Sequence, residues 1–267
     1  MYKFFLLLWI SLTFNQLGFS ESPFVVIIAS YNNQSYAKKN ILSVLNQNYT
    51  NFRVIYIDDH STDKTLFEAT HALKDHPKKE KVEFFRNSKN LGAMENHYHA
   101  IYRCKRDEIC VILDGDDWFS SQDALKILDS YYQNPNCWMT WGSYLEFPQM
   151  RLGSCSKKAE INDLVLANLR KKPWQTSHLR SFYAGLFHKI KKQDLQINGK
   201  FVPVCCDVAE MIPLLEMARE RAFFVPEILY IYNTANPISD SKVNYQLRSE
   251  VLKKIFDSTI YPKLNQF

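Results

Sequence analysis

Residues 109–118 read ICVILDGDDW. Five apolar residues without a polar break describe a short strand buried on both faces, and an acidic triplet carrying one glycine closes it. The same pattern stands three times upstream, at 24–29 (FVVIIA), 52–57 (FRVIYI) and 82–86 (VEFFR), each run ended by polar turn residues. Helices are predicted between them, around 40–45, 64–73 and 93–102, and a fourth follows at 124–132. Buried strands alternating with helices predict an α/β fold with a mainly parallel central sheet flanked by helices. Right-handed crossovers bring the carboxyl ends of parallel strands to one edge, where such sheets bind their ligands. Beyond Pro135 the pattern loosens: a strand over 138–147, a short helix over 163–169 and a helix over 207–219. One or two strands broken at Pro226 are expected within 223–232, then a closing helix over 246–256. Neither a repeat nor a Pro-, Gly- or Ser-rich linker occurs. Residues 23–135 therefore read as the binding half, and 136–267 as an irregular second half of the same domain.

The 267 residues, 46% hydrophobic and 23% charged, exclude a disordered, collagenous or coiled-coil chain. Lys+Arg 33 against Asp+Glu 28 leaves a charge of +5 without a concentrated block, too weak for a nucleic-acid surface. Six cysteines lack any CxxC spacing, and His97 and His99 lack a third ligand nearby, which argues against zinc. Residues 1–22 differ from the rest: Lys3, an apolar run over 4–14, then Gly18, Ser20 and Pro23 predict a signal peptide or a membrane anchor. This places the protein in the secretory pathway or on a membrane through its N-terminus, and in the cytoplasm if that segment does not function. Of the sequons at Asn33 and Asn48, the first lies where ligand contacts are expected, which counts against a glycan there.

The chemistry is expected at the strand ends. The first strand ends in Ser30-Tyr31-Asn32, the second in Asp58-Asp59, the third leads to Asn90-Leu91-Gly92, and the fourth ends in Asp114-Gly115-Asp116-Asp117. Carboxylates so close repel one another unless a cation or a donor-rich ligand compensates. Asp114 and Asp116 point the same way in an extended segment and can share one ligand, and Gly115 leaves room for a phosphate. Few, hard oxygen donors suit Mn²⁺ or Mg²⁺ held jointly with a substrate's phosphates. Asp117 or Asp123 could instead cap the next helix, as Ser61 or Asp63 could cap the helix after the second strand. Asp59 is placed to accept hydrogen bonds from a base or ribose, and Tyr31 offers a ring face. Neither GxGxxG nor GxxxxGK[ST] occurs. A nucleotidyltransferase would need a basic loop early in the chain, and residues 30–35 hold no Lys or Arg.

The segments VIIASYNN, ILSVLNQNYTNFRVIYIDDHSTDKT, NLGAMENHYHAI and VILDGDDW, in this order between Val25 and Trp118, resemble the family 2 glycosyltransferases, inverting enzymes with the GT-A fold. The resemblance implies a nucleotide-sugar site at Ala29, Tyr31, Asp59, Asn90, Gly92 and Asp114. It makes Asp116, with Asp114 and Asp117, the metal and diphosphate motif. It further implies transfer from a nucleoside diphosphate sugar, UDP by family habit, to a hydroxyl on a glycan, lipid or protein. Downstream, Asp207 in CCDVAEMIPLLEMA matches the family's acidic general base, with Glu210 one turn later as competitor. Cys206 stands where the family commonly has Glu, so an inactive nucleotide-sugar-binding relative is the alternative. Residues 174–189, rich in aromatics with His178, Arg180 and His188, are expected to line an acceptor cleft or to form a surface helix packing its aromatics inward. Residues 236–242 are expected as a lid over the diphosphate.

Overall fold

Strand β1 (Phe24–Ser30) is threaded through the middle of the sheet, and its alternating side chains belong to two different cores. Val25 and Ile27 pack on one face while Phe24, Val26 and Ile28 pack on the other, the period-2 consequence of an extended chain covered on both sides. The computed structural model describes residues 20–156, 169–171, 174–238 and 245–267. After β1 come α1 (Ala37–Leu45), β2 (Phe52–Asp58), α2 (Thr65–Ala72), β3 (Val82–Arg86), α3 (Ala93–Ile101) and β4 (Ile109–Asp114). Then follow β5 (Trp118–Phe119), α4 (Ala124–Tyr132), β6 (Met139–Phe147), β7 (Arg151–Leu152), β8 (Arg180–Tyr183) and the one-turn helix α5 (Ala184–Phe187). A small hairpin, β9 (Gln196–Ile197) and β10 (Lys200–Phe201), precedes α6 (Cys206–Ala218), β11 (Ala222–Asn233) and α7 (Tyr245–Asp257).

The sheet order is β3-β2-β1-β4-β8-β6-β11-β5, with β7 paired to β6. The first four strands run parallel, β8 runs against both β4 and β6, β11 runs with β6, and β5 runs against β11. The parallel ladders set Ala29 opposite both Ile57 and Asp114, and Ser30 opposite Asp58. The carboxyl ends expected to carry chemistry therefore lie side by side. Strand β11 is continuous across Pro226, and its pairing with β6 absorbs the proline as register shifts between Val225 and Tyr230.

One expectation changes. Residues 180–183 are a strand within the sheet, not a surface helix, and Phe182 is buried between its neighbours. Most of the helix expected over 163–169 and of the segment 1–22 lies outside the described residues, as does the second part of the expected lid. Among the described residues, no helix is long and apolar enough to cross a membrane.

Helix α6 is buried nearly all round, which is why its sequence reads apolar on every face. It carries Glu216 into the interior, where both carboxylate oxygens meet Arg170, at 2.6 and 2.8 Å. Arg170 also donates to Ser258 and to the carbonyl oxygens of Ile255 and Thr259, so this guanidinium fastens α6 to the chain that follows α7. Removing one partner of such a buried pair leaves an uncompensated charge. Glu216→Ala should therefore lower unfolding free energy by about 3–5 kcal/mol in denaturant titration, and an Arg170→Met/Glu216→Leu pair should recover most of it.

Candidate active site

The end of β4 is a tight turn in which the Asp117 N–H donates to the Asp114 carbonyl at 3.1 Å. Buried Asn40 of α1 donates to the carbonyls of Asp114 and Asp117 at 2.9 and 2.8 Å and pins this turn from beneath. Gly115 lies hard against Ser30: a Cβ there would come within 2.5 Å of Ser30 Oγ and 2.7 Å of its Cα. The missing side chain thus makes room for β1, a steric reason independent of any phosphate.

Each carboxylate of the turn has its own environment. Asp117 is buried; its Oδ2 accepts from Tyr230 Oη at 2.5 Å and its Oδ1 from the Asn233 N–H at 2.7 Å, both groups of β11. Burial, then the charges of Asp116 and Asp114, push its carboxyl well above the ordinary range. Asp116 accepts from Asn236 Nδ2 at 2.7 Å, and the same amide reaches Asn33 at 3.1 Å. Asp114 is half-buried and faces Arg180 Nη2 at 3.4 Å and His178 Nδ1 at 4.0 Å. Burial alone would raise its carboxyl, but the charge of Arg180 leads the opposing effects and holds it below the ordinary value.

The nucleotide side is organised around Asp59. Its Oδ1 accepts from Asn87 Nδ2 at 2.7 Å and the Leu91 N–H at 2.8 Å, and its Oδ2 accepts from the Gly92 N–H at 2.8 Å. Asn90 Nδ2 reaches the Asp59 carbonyl at 3.3 Å. Gly92 has φ +85°, a conformation that disfavours any side chain, and it opens α3. Asp59, Asn90 and Gly92 are thus brought together, with Asp59 anchoring the loop. Asp58 does not join them: it is fully buried, with Arg86 Nε 3.3 Å from its Oδ2. Tyr31 is 40% exposed, just beyond Ala29 at the mouth of the edge. The rest of the 59–65 motif is scaffolding. Asp63 accepts the Thr65 N–H at the start of α2 and the Gln34 N–H, while Ser61 and Thr65 accept from the N–H groups of Asn32 and Asn33. Asn33 is buried, with Nδ2 donating to Ser30, which leaves no room for a glycan.

On the far side, Cys205 turns through the left-handed region (φ 57°, ψ 35°) and starts α6, whose first turn carries half-buried Asp207. Burial raises the Asp207 carboxyl above its ordinary value, against the pull of Arg180. Glu210, one turn later, is 0% exposed; its Oε1 lies 2.6 Å from His97 Nδ1 and its Oε2 3.4 Å from Arg180 Nη1. A fully buried, ion-paired carboxylate has no path to an acceptor hydroxyl, which leaves Asp207 as the candidate base. Cys206 packs in the core.

His178, Arg180, Tyr230, Asn233 and Asn236 complete the site; the sequence alone puts His178 and Arg180 in an acceptor cleft or surface helix and Asn236 in a lid, and assigns Tyr230 and Asn233 no role. Asp114, Asp117 and His178 offer ligand atoms all within 4.8 Å of one another. His178 Nδ1 is buried without a hydrogen-bond partner, and the ring stacks on Tyr230 at 4.4 Å and 11°. Burial and then Arg180 depress its pKa to about 3, so the ring stays neutral and keeps a lone pair for a cation. The donor set therefore fits a divalent ion: acidic oxygens, a neutral imidazole and an excess of negative charge around one buried guanidinium. The signal available for His178 and Arg180 is two basic residues two positions apart in an aromatic-rich stretch. Because of the clash with Ser30, Gly115→Ala should cost about 1–3 kcal/mol by the overpacking rule, read as a lowered denaturation midpoint.

A family model described as Glycosyl transferase family 2 matches residues 25–206. An uncharacterized glycosyltransferase of Haemophilus influenzae is 34% identical over 147 residues, 54% of this chain and 57% of the relative. A second from the same organism is 31% identical over 111 residues, 42% of this chain and 35% of the relative. The matches thus span about half or less of the relatives' lengths. Among solved structures, S. aureus TarS in complex with UDP-GlcNAc superimposes with TM-score 0.67 at 16% identity, covering 89% of this chain and 68% of that one. The mannosyltransferase PcManGT from Pyrobaculum calidifontis, in complex with GDP-Man and Mn²⁺, gives 0.59 at 18% identity, covering 90% and 66%. These likenesses confirm the GT-A fold. With the family model spanning both the acidic turn and the start of α6, this chain belongs to glycosyl transferase family 2.

Proposed function

We propose that the protein is an inverting glycosyltransferase that uses Mn²⁺ or Mg²⁺ to move a sugar from a nucleoside diphosphate sugar, a UDP-sugar by family habit, to a hydroxyl on a glycan, lipid or protein. The observation that carries this reading is the concentration of Asp114, Asp207 and Glu210 around buried Arg180, with Asp116 and Asp117 in the same turn as Asp114 and neutral His178 beside them. Such an arrangement is costly unless a cation joins it. Relatives of the same fold are described as complexes with UDP-GlcNAc and with GDP-Man and Mn²⁺, which supports the donor class.

Asp116 and Asp114 would hold the ion, with His178 as a nitrogen donor and Asp117 bracing the turn. When bound, the ion stabilises the negative charge of the departing diphosphate. Tyr31 presents a ring for the base, and Asp59 keeps the loop through Asn90 and Gly92 in place along the nucleotide. Asp207 takes the proton of the acceptor hydroxyl from the side opposite the leaving group, which inverts the anomeric carbon. Its raised pKa makes it a stronger base than a free aspartate.

Asp116→Ala should fold, lose transfer and lose the cation-dependent part of nucleotide binding; undiminished turnover in that variant would sink the proposal. Asp207→Asn should keep donor binding in calorimetry while transfer falls about 10²–10⁴-fold, the usual worth of a general base. The same loss in Glu210→Gln with Asp207→Asn active would move the base to Glu210. Protonated Asp207 cannot accept a proton, so the rate should fall as pH drops through its raised pKa. The acid limb of kcat/KM is therefore expected above 3.8, the ordinary aspartate value. A thermal-shift series of UDP- and GDP-sugars, each with and without Mn²⁺, should identify the donor by the largest cation-dependent rise.

A further inference from the structure

Arg180 opens β8 opposite Ile112 of β4, two residues before Asp114. In paired strands, side chains two residues apart share a face, so the ladder itself delivers the guanidinium to the acidic turn. It is 2% exposed, and it does not reach Asp114 alone. Its Nη2 stands 3.4 Å from Asp114 Oδ1 and its Nη1 3.4 Å from Glu210 Oε2. Glu210 Oε1 in turn lies 2.6 Å from His97 Nδ1. One buried polar chain therefore runs from α3, directly behind the Asn90–Gly92 loop, through α6 and β8 to the end of β4. It joins the three elements that carry the nucleotide wall, the base and the acidic turn.

Both Arg180 contacts sit at the long limit of hydrogen bonding, as expected when one planar guanidinium is shared by two carboxylates and belongs fully to neither. The sharing has a directional consequence at Asp114. Oδ1 is turned to Arg180, and Oδ2, which also accepts from Tyr230 Oη at 3.4 Å, is the oxygen that faces His178 Nδ1 at 4.0 Å. Glu210 draws part of the positive charge away, so Asp114 is oriented without being neutralised. Without Glu210, Arg180 would settle wholly on Asp114 and cancel the charge that a divalent ion needs.

We propose that Arg180, held from behind by Glu210 and His97, is a positioning residue of the donor site: it aims Asp114 Oδ2 at the cation and locks the acidic turn to the helix that bears Asp207. The role rests on the cation-dependent reading above and needs no contact with the reacting atoms. Groups that orient a metal ligand typically change metal affinity by about 10–100-fold when removed.

The test is UDP affinity by calorimetry, with and without Mn²⁺, in the full chain and in three variants, with the denaturation midpoint of each. Arg180→Met/Glu210→Gln removes one buried charge of each sign, leaves Asp114 and Asp207 only half-buried, and should fold. It should bind UDP alone as the parent does and lose about tenfold of the Mn²⁺-dependent gain. Arg180→Lys, which keeps the charge but not the fork, should recover only part of that gain. Glu210→Gln alone should also lose about tenfold, and it carries the test if the double variant does not fold. A purely structural role would move midpoints while leaving the gain in folded molecules intact. The full parental gain in a folded double variant, or in Glu210→Gln, overturns the positioning role alone. No Mn²⁺-dependent gain in the parent overturns the cation-dependent reading and this role with it.

Discussion

A buried carboxylate holds the site together. Asp117 closes β4 and takes its two hydrogen bonds from Tyr230 and Asn233, more than one hundred residues away on β11. Through that contact the regular, parallel half of the sheet is joined to the irregular half at the acidic turn. The contact is also a way of tolerating crowding. Burial and the neighbouring aspartates favour the neutral form of Asp117, so the turn carries less repulsion than three adjacent acidic residues imply. With Asp117 committed to bracing, Asp114 and Asp116 are the carboxylates of the turn that the proposed donor site would use.

The second half of the chain supplies what the first half lacks. Strand β8 runs against β4 and brings His178 and Arg180 to the acidic turn; β11 brings Tyr230, Asn233 and Asn236; α6 brings Asp207 and Glu210. A single guanidinium shared among several carboxylates is an unstable arrangement by itself, since buried pairs seldom repay desolvation unless further partners join them. The same imbalance makes the location suited to a divalent ion. Stability and function therefore pull on the same few contacts, and the rigid sheet edge is what keeps the repelling groups from separating.

Much of the first half was legible because local rules and tertiary demands agree there. The runs FVVIIA, FRVIYI and ICVIL can be little else than buried strands, VEFFR forms the half-exposed edge strand β3, and the ends of all four agree to within a residue. The convergence of Asp59, Asn90 and Gly92 was also legible, although Asp59 proves to anchor the loop through Leu91 and Gly92, and Asp58 turns inward toward Arg86. Gly115 also has a steric reason that no local pattern carries, because only the β1–β4 register places Ser30 against it.

Local pattern, then, was enough to specify a parallel α/β sheet and the acidic end of its fourth strand, since both follow from hydrophobic periodicity and the direction of the chain. It could not specify the partners of that end. Arg180 and His178 sit in an aromatic stretch whose period does not separate a strand from a helix, and Glu210 stands on a helix apolar on every side. Whether such residues are surface, core or site depends on which strand lies beside β4, and that is decided by contacts between segments 66 to 120 residues apart, beyond the reach of any local signal.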